Sequence, residues 1–406
     1  MDFRGRTGLQ LLIMEPVKIN RDRLIQVLQD LVAIPSVNPA FPDGYGEAGV
    51  AAYMKQFFAE LGLPTLVQEV EPGRENVIGM LQGPAGCPAL LLEAHMDTVQ
   101  ITGMTIDPYG GEVRDGRLYG RGACDTKASL AAMMLAVEAL RNSGADLPAS
   151  VHLAAVVDEE YRYKGVSALA AEISAGHFVY DGAIVGEPTG LNPIIAHKGV
   201  VRFHVDVHGI AGHSSEPDKG LNAIESMVTV ISYLKNEMEP AYAKRVHPLV
   251  GPPTHCISLI EGGSAPNTVP ERCRITIDRR TVPGEEPLEV WVAMKRELLA
   301  LEEQIPGLKL TVNDPFVIDF AMEVSAGEPL VRNLQDAVAK KIKGKTAAGA
   351  PYGSDASKLV RAGVPSVVFG PGDLAQAHTH EEWVDLDEVV LAASILADTV
   401  MNFGRE

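Results

Sequence analysis

Between residues 20 and 197 the apolar positions switch repeatedly between two spacings. Leu24, Val27, Leu28 and Leu31 recur at helical intervals, which predicts a helix over 20–31, and 47–61 has the same pattern. Compact apolar runs predict strands at 77–81, 89–92, 151–157 and 183–186. Between the second and third of these strands, the segment TKASLAAMMLAVEAL (126–140) predicts a helix. Strands that alternate with helices imply an α/β unit, a mainly parallel mixed sheet with helices on both faces.

From residue 198 the order changes. A strand is expected at 200–207 and a helix at 222–235, with Ile224, Met227, Val228, Ile231 and Leu234 on one face. Strands at 256–260 and 273–278, a helix at 288–301 and a strand at 308–312 complete a βαββαβ order. That order predicts a compact two-layer α+β domain over 198–314, inserted into a first domain made of 1–197 and 315–406. The α/β pattern then resumes with a helix at 329–341, a glycine-bearing loop at 349–354, a short helix, a strand at 366–369 and a helix at 387–402.

Composition narrows the setting. A chain of 406 residues exceeds the usual size of one domain, which agrees with two. The net charge of −18 repels phosphate backbones, so no nucleic-acid partner is expected. No apolar run approaches the ~20 residues of a membrane span, and no membrane partner is expected. The four cysteines form no CxxC pair, and a chain this large needs no disulfide staples, so a reducing, cytoplasmic setting is expected. The first residues, MDFRGRTGLQLLIMEP, are too short in apolar content for a signal peptide and suggest a disordered leader, with Met14 as an alternative start.

Polar residues gather where strands should end. LLLEAHMDTV carries His95 and Asp97, and GRGACDTKASL carries Asp125 at a helix start. VVDEE ends in Asp158, Glu159 and Glu160, AIVGEPTG carries Glu187, and the loop AQAHTHEEW carries His378 and His380. Taken singly, each has a plain explanation. A lone Asp before a helix is most often an N-cap, adjacent acids usually form a solvated turn, and loop histidines usually lie at the surface. Taken together, five segments deliver histidine or carboxylate to the edge where α/β sheets place their sites. Such a donor set suits two divalent ions such as zinc, manganese or cobalt, bridged by one carboxylate.

The segments AHMDTV, GRGACDTKASLAAM, VVDEE, VGEPTG and AHTHEEWV resemble, in order and spacing, the motifs of the M20 metallopeptidase family. That family includes acetylornithine deacetylase, succinyl-diaminopimelate desuccinylase and glutamate carboxypeptidase. The resemblance runs from Leu31 to Val384 and implies a zinc-exopeptidase-like fold with an inserted lid and dimerisation domain, hence a homodimer. It implies that His95, Asp125 and Glu187 hold one cation and that Asp125, Glu160 and His378 hold the other. Asp97 would orient His95, and Glu159 would be the general base. His378, four residues before Glu382, fits the family spacing and His380 does not.

The same resemblance implies that His213 polarises the scissile carbonyl, often from the partner subunit. Arg280 and Asn267 would bind substrate, as would Gly353 and Ser354 in YGSDASKL. Arg280 suits a carboxylate as a bidentate clamp, although an ordinary ion pair would also account for an arginine there. Tyr352 and Cys124 depart from the residues common at their positions, and neither is a ligand. The implied activity is metal-dependent amide hydrolysis of an N-acyl amino acid, with a small-molecule N-acyl amino acid or short peptide as substrate. An exopeptidase or dipeptidase on the same machinery is the alternative. A metal-free binding protein would not need all five ligand positions.

Overall fold

The computed structural model describes residues 17–405, and the N-terminal stretch expected to form a leader lies outside them. The larger layer is a nine-stranded mixed sheet. Its central strands, Ser150–Val156, Ala89–His95, Gly182–Val185 and Ser366–Val368, lie side by side and run parallel. Nearly all their residues are buried, so both faces are covered, as parallel strands linked through helices require. The helix Lys127–Ser143 packs against Leu386–Asn402 and Arg21–Ala33. Asn20 caps the last of these by accepting the Arg23 amide at 3.2 Å.

The flanks are antiparallel and make the sheet mixed, as expected. Thr65–Glu71 and Arg74–Leu81 are antiparallel to each other, and the second is antiparallel to Ser150–Val156. On the far side Ile194–His197 is antiparallel to Ser366–Val368. Only Pro72 and Gly73 separate Glu71 from Arg74, with Gly73 at φ 77°. A two-residue link can close only an antiparallel pair. Thr65–Glu71 escaped the periodic reading because it is an edge strand with little buried surface.

The inserted segment forms a second sheet. Thr254–Gly262, Arg272–Thr281, Gly199–His208 and Leu310–Val312 pair in that order, all antiparallel. The helices Ala223–Tyr233 and Pro287–Leu299 cover one face, and a separate apolar cluster runs from Val201 to Val312. Val201, Phe203, Val205 and Val207 alternate into that cluster. The alternation turns Arg202, His204 and Asp206 to the other face. Val317–Asp319 also pairs with Gly199–His208, so this sheet extends past residue 314, where its end was expected. The chain re-enters the large sheet at Met322–Glu323.

Phe203 is wholly buried in the second cluster. Phe203→Ala is expected to destabilise the inserted unit by ~3–5 kcal/mol, measured by denaturant unfolding. A loss below about 1 kcal/mol would contradict this packing.

Candidate metal centre

The four central strands are parallel, so their carboxyl ends open on one edge of the sheet, and each is followed by candidate ligands. His95 is the last residue of Ala89–His95. Glu159 and Glu160 follow Ser150–Val156, Glu187 follows Gly182–Val185, and His378 lies beyond Ser366–Val368. Asp125 comes from the loop before Lys127–Ser143. It is not the cap of that helix. Thr126 occupies the cap position, and the Asp125 carboxylate faces two histidines instead.

Asp125 divides its two oxygens. Oδ1 lies 3.1 Å from His95 Nε2, and Oδ2 lies 3.2 Å from His378 Nε2. His95 Nε2 is also 3.9 Å from Glu187 Oε1, and His378 Nε2 is 3.2 Å from Glu160 Oε1. Two triads result, His95–Asp125–Glu187 and Asp125–Glu160–His378, each with ligand atoms within 4.8 Å of one another. Ligands ~2.0–2.2 Å from a tetrahedral ion lie roughly 3.3–3.6 Å apart, so these separations fit a cation in each triad. The mixed imidazole and carboxylate donors suit zinc, cobalt or manganese.

His95 Nδ1 lies 2.9 Å from the Asp97 carbonyl oxygen and 3.6 Å from its carboxylate. A carbonyl can only accept, so Nδ1 carries a hydrogen, and Nε2, which hydrogen-bonds to Asp125 here, is the ring nitrogen left to take a cation in place of its proton. Asp97 thus orients His95 chiefly through its main chain. Its carboxylate is engaged elsewhere, accepting the Asn38 amide at 2.7 Å and the backbone N–H groups of Glu159 and Glu160, each at 3.1 Å.

Electrostatics reinforce the need for cations. Burial, joined by neighbouring carboxylates, raises the pKa values of Glu159, Glu160 and Glu187, and those of Glu159 and Glu187 rise well above the usual range. Burial also opposes ionisation of Asp125, but hydrogen bonds from His378 and His95 outweigh it and hold this carboxyl below the usual range. Burial disfavours charged imidazoles. Contacts with Asp125 and Asp97 still raise His95 well above its ordinary value, and contacts with Asp125 and Glu160 raise half-exposed His378 to about 11.

Several supporting residues were not singled out from the sequence. Glu382, wholly buried, accepts the backbone N–H groups of Cys124 and Asp125, each at 2.9 Å, and pairs with Arg121 at 2.6 Å. It thereby ties the His378 segment to the Asp125 loop. Behind Glu159, the buried carboxyls of Glu93 and Asp355 face each other; burial and mutual repulsion raise Glu93, and burial raises Asp355 to about 6. The position of Glu93 two residues before His95 was the available signal. His380 packs against Gly103, outside both triads.

The substrate candidates are placed unevenly. Arg280 donates to Asp278 at 2.7 and 3.2 Å, and Arg202 shares that carboxylate at 2.7 Å. His213 and Asn267 lie together at the tip of the inserted unit, both exposed, where the Ser214 amide donates to the Asn267 carbonyl at 3.1 Å. Among the described residues, no hydrogen bond or ion pair joins either of them to the metal triads of their own chain. Ser354, a candidate for substrate contact, is engaged within its own loop. It is wholly buried, and its Oγ accepts the Ala356 amide at 3.4 Å, a turn-capping role. Gly353 allows a close approach, because a Cβ there would lie 2.6 Å from Asp319 Oδ2.

Comparison with known proteins agrees with this geometry. Residues 91–402 match peptidase family M20/M25/M40. The chain is 31% identical to acetylornithine deacetylase of Myxococcus xanthus, over 88% of this chain and 89% of that protein. It is 30% identical to acetylornithine deacetylase of Proteus mirabilis, over 95% and 98%. A tripeptidase from Staphylococcus aureus shares the fold with a TM-score of 0.77 at 22% identity, covering 96% of this chain and all (100%) of that one. A dinuclear metal-binding M20 peptidase from Bacillus subtilis shares it with a TM-score of 0.69 at 18% identity, over 94% and 97%. The chain therefore belongs to peptidase family M20/M25/M40 and is a metal-dependent hydrolase of amide bonds.

Proposed function

We propose that this protein is a two-metal amidohydrolase that removes the acyl group from an N-acyl amino acid, as acetylornithine deacetylases do. The observation that carries this is the placement of Asp125 between two histidine–carboxylate sets, with half-buried Glu159 beside them. The acetylornithine deacetylase relatives, about 30% identical over nearly the whole chain, support the substrate class. His95, Asp125 and Glu187 hold one cation, and Asp125, Glu160 and His378 hold the other, with zinc preferred and cobalt or manganese accepted. When bound, the cations supply Lewis acidity toward a carbonyl and a water.

Glu159 takes the proton of the attacking water and passes it to the leaving nitrogen. Burial raises its pKa, the direction that favours a carboxylate able to hold the proton between the two transfers. Arg280, steadied by Asp278, receives the substrate carboxylate on its remaining N–H groups. Asn267 and the Gly353 loop line the approach, and His213 stabilises the developing oxyanion. An exopeptidase is the second reading, favoured by the fold shared with the tripeptidase.

We also propose a cytoplasmic homodimer in which the partner's His213 completes the site. His213 is exposed and apart from its own triads. The strand Thr254–Gly262 has a free edge bearing exposed Leu259 and Ile260, beside exposed Ile224 and Val228 on the covering helix. Such an edge is a template for pairing with a second copy. No helix of the described residues is long and apolar enough to cross a membrane.

A panel of N-acetyl and N-succinyl amino acids beside dipeptides tests the activity. Acyl amino acids are expected to be hydrolysed preferentially, and turnover of dipeptides alone would favour the exopeptidase. In the same assay Glu159→Gln is expected to retain both cations and lose ~10²–10⁴-fold in kcat, whereas near-normal turnover would remove Glu159 as base. Chelation should lower the thermal midpoint, and readded zinc, cobalt or manganese should restore it at two ions per chain. A cation at 100 times its Kd contributes about 2.7 kcal/mol, so the absence of both binding and shift would sink the two-metal site. Sedimentation equilibrium checks the dimer: Leu259→Lys with Ile260→Lys should yield an inactive monomer, and a fully active monomer would overturn the completed-site proposal.

A further inference from the structure

The turn bearing Glu159 and Glu160 is braced by buried charges that play no part in the chemistry above. Arg74, whose side chain is 13% exposed, donates to Glu47 Oε2 at 2.9 Å, Glu71 Oε2 at 3.0 Å and Asp158 Oδ1 at 3.1 Å. Its Nη2 also contacts Glu47 Oε1. Glu47, wholly buried, accepts the backbone N–H of Asp158 at 3.1 Å on that same oxygen. Asn38 then links the two sides of the turn, donating to Asp158 Oδ1 at 2.9 Å and to Asp97 Oδ2 at 2.7 Å. Asp97 closes the circuit by accepting the amides of Glu159 and Glu160.

The turn needs such support. Asp158 stands at φ 68°, in the left-handed region that non-glycine residues seldom occupy. Its carboxylate and that of Glu47 are both nearly inaccessible to water, and two buried carboxylates beside one turn repel each other unless a cation lies between them. Arg74 is the cation that ion-pairs with both. Its contacts are also one-sided. They reach the segment that delivers Glu160, and none reaches His95, Asp125, Glu187 or His378.

We infer that Arg74 is a positioning residue for the second metal triad and for the base: through Glu47 and Asp158 it fixes the turn that aims Glu160 at the cation and Glu159 at the water. The inference rests on the two-metal reading, and it predicts asymmetry. Loss of Arg74 weakens the cation held by Asp125, Glu160 and His378 and spares the one held by His95, Asp125 and Glu187. A purely structural residue would weaken both sites or neither.

The test is a cobalt titration of the chelator-stripped full chain, followed by visible absorption and calorimetry, with kcat and KM measured on the acyl amino acid panel. In Arg74→Met one of the two cobalt ions should bind ~10–100-fold more weakly while the other is essentially unchanged. kcat should fall with little change in KM, and Arg74→Lys should recover part of both losses. Should Arg74→Met fail to fold, Arg74→Met with Glu47→Gln removes one of the two buried charges left unpaired, and with it their mutual repulsion, and must show the same selective loss. Equal loss at both sites, or none at either, overturns the inference. A wild-type chain that binds two cobalt ions but hydrolyses nothing would refute the proposed function and leave this inference standing; one that binds none would refute both.

Discussion

Asp125 placed between two histidines is the interaction on which the rest of the site depends. Its oxygens lie 3.1 and 3.2 Å from His95 and His378, and Glu187 and Glu160 complete the two sets. Gathering four carboxylates, with Glu159, in a largely buried space is electrostatically costly. The cost is tolerable only when cations or protons offset it, and the upward-shifted carboxyls of Glu159 and Glu187 and imidazoles of His95 and His378 express that. The large sheet answers the demand. Four parallel strands bring their carboxyl ends to one edge, and each end carries one part of the donor set.

Around that centre, Glu382 and Asp97 hold three of the donor segments. Glu382 accepts two backbone amides of the Asp125 loop, the Asp97 carboxylate accepts two from the Glu159 turn, and the Asp97 carbonyl sets the tautomer of His95. The four amide contacts go to charged acceptors, the strong end of the hydrogen-bond range, and they come from loops rather than from the sheet. The sheet brings the ligands close, and the loops set their direction. Arg74 extends the same device one layer further out.

The inserted unit has its own core, and the face away from its helices bears Arg202, Asp278 and Arg280 as a shared ion-pair group. One carboxylate between two guanidinium groups leaves N–H groups available for a further anion. His213 and Asn267 stand apart at the tip.

Much of this was legible in the sequence, because the signals were local. Helical spacing at Leu24, Val27, Leu28 and Leu31, apolar runs such as Ala89–His95, and the βαββαβ order all record burial of neighbouring residues, which periodicity reports directly. The ligand candidates stood at strand ends, where an isolated polar residue is conspicuous. What sequence could not supply was pairing at a distance. The antiparallel flanks, Val317–Asp319 joining the inserted sheet, and the burial of Ser354 depend on which segments meet. Arg74, Glu47 and Asn38 carry no such local signal, and what Glu382 holds shows only once folding places these residues behind the site. The sequence determined which elements form and which residues have ligand chemistry, since both follow from side-chain type and spacing. Only the tertiary structure decided which of Asp125's oxygens meets which histidine, and what holds each ligand in place, since those contacts join residues far apart in the chain.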